Sequence, residues 1–248
     1  MTNESNETTE SNKPTTGYIP TLAQVDELHR KIAQSQAAYD LIHGHCVVVA
    51  DIARRMVIAA SGMQRQPVDV SNIVMAIKCG ASDTTSGMAS NCVIGYVADK
   101  LVDLGATVIF GETTEFIGGE HLLARRAVSK EVGDKILEIV EKMEARAKAI
   151  GCDMRKGQPT PGNIAGGLSS IEEKTLGAIV KSGTRPIQGV LDYPEFVTNE
   201  KGLWIKDTPG REPEILTGMA ATGAQFMMFS TGRGAPQGFP SMPVIKVC

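Results

Sequence analysis

Two short blocks hold most of the side chains in this sequence that are suited to chemistry. The first, residues 79–87, sets Cys79, Ser82, Asp83 and Ser86 among glycines, ahead of a helical pattern. Backbone N–H groups and hydroxyls in such a loop can hold a carboxylate or phosphate against the positive end of a helix. The same residues also suit a tight strand–helix turn in which Asp83 or Ser86 merely caps the helix. The second block crowds Glu112, Glu115, Glu120 and His121 into residues 112–121. Three carboxylates and an imidazole can ligate a divalent cation or work as an acid–base pair, and crowded carboxylates raise one another's pKa as a general acid requires. They equally suit a helix N-terminus that favours Glu for its dipole, with His121 packed as a neutral core residue. Arg125, four positions after His121, shares its helical face and can clamp a carboxylate, whereas Arg126 falls on the far side, to pair with a surface acid.

Two further loops qualify. Residues 159–168 are rich in Gly and Pro, which permits close backbone approach to a ligand, and Asn163 can bond hydroxyls there; a plain linker has the same composition. On the helix that follows, Glu172, Glu173, Lys174 and Lys181 read as a solvated face, with Lys174 an outside candidate for a base. In residues 230–234, Arg233 stands between glycines after an apolar run, an arrangement that suits an anionic substrate. This last loop has neither GxxxxGK[ST] nor GxGxxG spacing, so nucleotide binding is disfavoured.

The elements that must position these loops follow from periodicity. Apolar runs at 73–77 and 106–110 read as buried strands, each followed by one of the two blocks, and further strands are expected at 187–191, 203–206, 225–229 and 243–247. Helices are expected near 88–104, 120–149 and 171–182, the last opened by a Ser170/Glu173 capping box. Alternating strands and helices predict an α/β fold, with a mainly parallel, Rossmann-like sheet covered by helices on both faces. Ligand sites in such sheets lie outside the carboxyl ends of the strands. Ahead of this core, helices are expected over 21–41 and 45–61, after a disordered tail at 1–17. The expected organisation is thus a single α/β domain over 18–248, with 18–66 as a helical lead-in and 67–248 as the core.

The 248 residues are 42% apolar, enough for a proper core. A net charge of −3 without basic runs, and an aromatic content of 4%, exclude nucleic acid as the expected partner. No apolar run approaches a membrane span, and no signal pattern opens the chain, so a cytoplasmic location is expected. The five cysteines form no CxxC pair, which fits a reducing compartment; Cys46, Cys92 and Cys248 read as small buried side chains.

Six ordered blocks resemble the altronate/galactarate dehydratase family, which includes the large subunit of (2R)-sulfolactate sulfo-lyase. They are KCGASDTTSGMASN (78–91), GETTEFIGGEHLLARRA (111–127), PTPGNIAGGLSSIEEKTLGAIVKSG (159–183), VLDYPE (190–195), DTPGREPEILTGMAATGAQ (207–225) and FSTGRGAPQGFPSMPVIKV (229–247). The resemblance implies an α/β catalytic region acting on hydroxylated acids with a divalent metal, usually iron(II), with manganese or magnesium as alternatives. It also implies a further α/β region ahead of the Cys79 block and a continuation beyond residue 247. The expectation is therefore a catalytic portion, working as a homo-oligomer or with a partner chain that supplies the rest.

Dehydrating such an acid means removing the proton α to a carboxylate, stabilising the enediolate and protonating the departing β-hydroxyl. The residues expected to do this are Glu112, Glu120, His121 and Lys174 for acid–base steps, with Glu115, Glu120 and His121 around the metal. Cys79, Ser82, Asp83, Ser86, Arg125, Asn163 and Arg233 are expected to hold the substrate. The alternatives are elimination of sulfite from sulfolactate, and a non-catalytic subunit that binds a sugar acid without turnover.

Overall fold

Six apolar segments pair into one all-parallel sheet in the computed structural model, which describes residues 39–197 and 200–248. The strands are β1 (Val74–Gly80), β2 (Thr107–Phe110), β3 (Ile187–Leu191), β4 (Gly202–Lys206), β5 (Phe226–Thr231) and β6 (Val244–Val247), in the order β3-β4-β2-β1-β5-β6. The register runs Ala76 against Ile109 and Met227, so β1 is central. The helices are α1 (Tyr39–Ser61), α2 (Asn91–Asp103), α3 (Glu120–Ala124), α4 (Lys130–Ala149), α5 (Met154–Gly157), α6 (Pro161–Ala165), α7 (Ile171–Ile179) and α8 (Glu212–Ala221). The α/β class and the parallel sheet match the reading from periodicity.

Strand alternation sends successive side chains to opposite faces and divides the core in two. On one face Met75, Ile77, Val108 and Phe110 meet Ile94 and Ala98 of α2, Ile136, Ile139 and Val140 of α4, and Ile171 and Ile179 of α7. On the other, Ala76, Ile109 and Met227 meet Ile215, Leu216 and Met219 of α8. Each fully buried aliphatic side chain is worth about 1.5–3 kcal/mol.

Packing divides the chain into two compact units, Met1–Gln66 and Pro67–Cys248. The first contributes α1, which begins six residues before the expected helix; Val48, Val49, Met56 and Ile58 on it are exposed. The tail at 1–17 lies outside the described residues, as does all but the end of the expected 21–41 helix. No described helix is long and apolar enough to cross a membrane.

Several expectations are corrected. The single helix over 120–149 is two, α3 and α4, because residues 126–128 run alongside β3: Ile187 N donates to Arg126 O at 2.9 Å, and Val128 N donates to Ile187 O at 3.0 Å. Ser129 then caps α4, its Oγ accepting from Val132 N. Arg126 forms no ion pair with an acid among the described residues; it donates to Ser182 Oγ at 2.9 Å and to Arg185 O at 2.9 Å, tying this break to the loop before β3. Half of the expected capping box forms: Ser170 Oγ accepts from Glu173 N, but the Glu173 carboxylate turns to Ser169. Cys92 and Cys248 are exposed, as is Cys152, whereas Cys79 is buried. Lys174 and Lys181, read as part of a solvated face, are both buried.

Candidate active site

The strand run that ends β1 extends three residues past the expected boundary, so Lys78, Cys79 and Gly80 belong to the sheet and not to the loop. Lys78 shares the face of Ala76 and points toward α8, while Cys79 shares the face of Ile77 and points toward the turn after α7. Between them lies Glu112, just beyond β2. Its backbone is left-handed, φ +71°, and Ala81 beyond β1 is left-handed too, φ +50°. An L-residue held there costs about 1–2 kcal/mol and persists only where its surroundings enforce it. Here Thr208 does so: Glu112 N donates to its Oγ1 at 2.8 Å, while Thr113 N donates to its carbonyl at 2.9 Å.

The Glu112 carboxylate meets Lys78 Nζ at 3.2 Å through one oxygen, and Lys181 Nζ at 3.2 Å and Cys79 N at 2.8 Å through the other. All of these groups are buried. Burial pushes the Glu112 carboxyl up, but the two ammonium groups and the Cys79 N–H outweigh it and hold the pKa below the ordinary value. Burial likewise opposes the charge on Lys181, yet Cys79 and Glu112 keep its pKa above the usual lysine range. The Cys79 thiol, 3.4 Å from Lys181 Nζ, is pushed up to about 12 by burial and by the negative charge of Glu112.

Above this floor opens a cleft of about 230 Å³ at the carboxyl end of the sheet. Its lining brings together Cys79, Ser82, Glu112, Glu115, Asn163, Lys174 and Arg233 of the residues expected from sequence, together with Gln158, Thr160 and Glu212. Lys174 Nζ lies 3.0 Å from Glu115 Oε1 and donates to Gln158 Oε1 at 2.7 Å. The second Glu115 oxygen is buried without a hydrogen-bond partner. Arg233 is exposed, pairs with no carboxylate among the described residues, and lays its guanidinium over Gly162, where an added Cβ would lie 2.7 Å from Nη1 and Nη2.

Other expected residues have structural tasks. Asp83 accepts from Ser86 N at 2.7 Å and Thr85 Oγ1 at 2.8 Å, and Ser86 Oγ returns to Asp83 O, so both serve the turn before α2. Asn163 closes a capping box with Thr160 and donates to Ser82 O at 2.9 Å, joining the loop after β1 to α6. Glu120 accepts from Gly118 N at 2.6 Å and faces Arg155 at 3.2 Å. His121 and Arg125 are exposed and line none of the cleft. Glu115, Glu120 and His121 are therefore not gathered, and no group of three His, Cys, Asp or Glu side chains that could hold a metal ion occurs among the described residues.

Lys78, Lys181 and Glu212 were missed. The available signal was a lone lysine ending each of two apolar runs, at 73–78 and 178–181, where a surface residue would break the pattern sooner.

Known proteins give this geometry a context. The profile described as D-galactarate/Altronate dehydratase, C-terminal, matches residues 70–248. The (2R)-sulfolactate sulfo-lyase subunit beta of Chromohalobacter salexigens is 44% identical over 198 residues, 79% of this chain and 51% of that protein. The galactarate dehydratase (L-threo-forming) of Escherichia coli is 39% identical, over 80% of this chain and 38% of its own length. The altronate dehydratase of Bacillus subtilis is 34% identical, over 88% of this chain and 42% of its own length. The chain thus spans about half the length of the first of these relatives and less of the other two.

Proposed function

We propose, from the premise that this chain belongs to the D-galactarate/altronate dehydratase family, that its cleft removes water from a sugar acid by α-proton abstraction and β-elimination. The observation that carries the reading is the pairing, in one cleft, of a guanidinium with no carboxylate partner among the described residues and an ammonium group oriented by two side chains. Arg233, free of carboxylate partners among the described residues, takes the substrate carboxylate in a bidentate contact. Lys174, aimed by Glu115 and Gln158, donates to the hydroxyl that departs. The enediolate formed after proton removal develops its negative charge close to Arg233, and fixed cationic donors lower the barrier without reorganising.

The divalent metal implied by the resemblance would act as a Lewis acid on the substrate oxygens. The described residues of this chain do not assemble the three ligands expected for it, and the steps above use only side chains that the cleft contains. Incubating the chain with altronate or galactarate, with and without iron(II), manganese(II), magnesium or a chelator, tests both the reaction and the metal requirement. A 2-keto-3-deoxy acid is the expected product; its absence under every condition, also after addition of a partner chain carrying the remaining family region, would sink the reading.

A second reading is favoured by the sulfo-lyase subunit, 44% identical to this chain. The same proton removal from sulfolactate expels sulfite in place of water. Its being a subunit also supports a partner chain here. Sulfite release from sulfolactate, with no keto acid formed from either sugar acid, selects this branch.

A further inference from the structure

The elimination needs a base, and three carboxylates line the cleft: Glu112, Glu115 and Glu212. Their surroundings separate them. Glu112 is buried under three N–H donors, two of them ammonium groups. A proton arriving on it would leave Lys78 and Lys181 facing a neutral partner in the interior, which is costly. Glu115 has one oxygen on Lys174 and the other sealed from solvent. Glu212 differs from both. It opens α8 beside Pro213, and its side chain is 35% exposed, against 2% for Glu112 and 14% for Glu115. It forms the wall between this cleft and a neighbouring cavity lined by Ala81, Pro213 and Gln237. Its nearest charged partner is Lys78 Nζ, at 3.5 Å, and that ammonium lies closer still to Glu112, at 3.2 Å. A proton can therefore enter and leave Glu212 while Lys78 keeps its other carboxylate.

We propose that Glu212 is the catalytic base that takes the α-proton, an inference that rests on the lyase reading of this cleft. The Glu212 carboxylate takes the proton from C2, leaving the C–H electron pair in the enediolate, from which it then returns to form the C2–C3 double bond. The C3–O bond breaks, and the hydroxyl leaves as water with a proton from the Lys174 ammonium. The resulting enol gains a proton at C3 and loses its hydroxyl proton to give the 2-keto acid. Glu212, now protonated, and Lys174, now neutral, re-equilibrate with solvent.

The test follows deuterium entry at C2 of altronate, galactarate and sulfolactate in D2O, alongside turnover, for the wild-type chain, Glu212→Gln and Glu212→Asp, each with the partner chain if turnover requires it. Glu212→Gln is expected to lose roughly 100-fold or more in both wash-in and kcat, while unfolding like wild type. Glu212→Asp, which keeps a carboxylate, is expected to retain a measurable part of both. A Glu212→Gln chain that turns over and exchanges at the wild-type rate overturns the assignment and leaves the lyase reading standing. A wild-type chain that neither exchanges nor turns over any of the three acids overturns both.

Discussion

Lys181 Nζ stands 3.2 Å from Glu112 Oε2, and both residues are buried at the cleft floor. Truncating one member of a buried pair strands the charge of the other, at a cost of about 3–5 kcal/mol. Lys181→Met should therefore destabilise the fold by that amount in urea unfolding at neutral pH. Glu112→Gln should be at least as damaging, because Lys78 loses its carboxylate as well. An unfolding midpoint within error of wild type for Glu112→Gln would remove Glu112 from its place at the centre of the floor.

The same group sets a sign for acid stability. The folded Glu112 carboxyl has a pKa below its ordinary 4.5, so the folded state binds this proton less readily than the unfolded state. Its contribution is fully present above about pH 4.5 and is lost as pH falls through the lowered value. Plotted against pH below 5, the stability of wild type should fall more steeply than that of Glu112→Gln; parallel curves would contradict the assignment.

Arg233 is exposed and pairs with no described carboxylate, so Arg233→Ala should leave the unfolding curve nearly unchanged. If it holds the substrate carboxylate, KM should rise roughly 10-fold to 100-fold. Arg233→Lys should recover only part of this, since an ammonium cannot make the bidentate contact. Gly162→Ala offers a check that leaves the arginine in place. Its new Cβ would fall 2.7 Å from both guanidinium nitrogens, forcing that flexible end aside, and KM should rise without loss of fold.

The floor also depends on how closely α2 approaches the turn carrying Lys181. A Cβ on Gly95 would lie 2.3 Å from the carbonyl oxygen of Val180. That atom is backbone and cannot swing away. Gly95→Ala should destabilise by about 1–3 kcal/mol, the usual range for overpacking, as read by thermal or urea unfolding.

Much of this architecture was legible because buried parallel strands read as plain apolar runs. The stretches 187–191 and 203–206 fall on β3 and β4 almost residue for residue. β1 was placed but cut short, because a lysine followed by Cys-Gly looks like the start of a loop; the counter-charges of Glu112, 34 positions away, and of Glu212 let Lys78 stay inside the sheet. Glu120 and His121 were grouped with Glu115 by proximity in sequence. Gly118 and Gly119 and the short α3 turn them away from the cleft, and the pairing of residues 126–128 with β3 ends the helix assumed to carry them. Lys174 and Arg233 reach the cleft from separate segments, which spacing alone does not reveal.

The cysteines differ in a way that can be put to use. Cys92, Cys152 and Cys248 face solvent, whereas Cys79 is buried at the base of the cleft with its thiol pushed up to about 12. In a Cys46→Ser background, an alkylating reagent at mildly basic pH would consume three equivalents quickly and the fourth only when the floor opens. The lag between those two phases is a stopwatch for breathing of the interior, and a ligand that seats in the cleft should lengthen it.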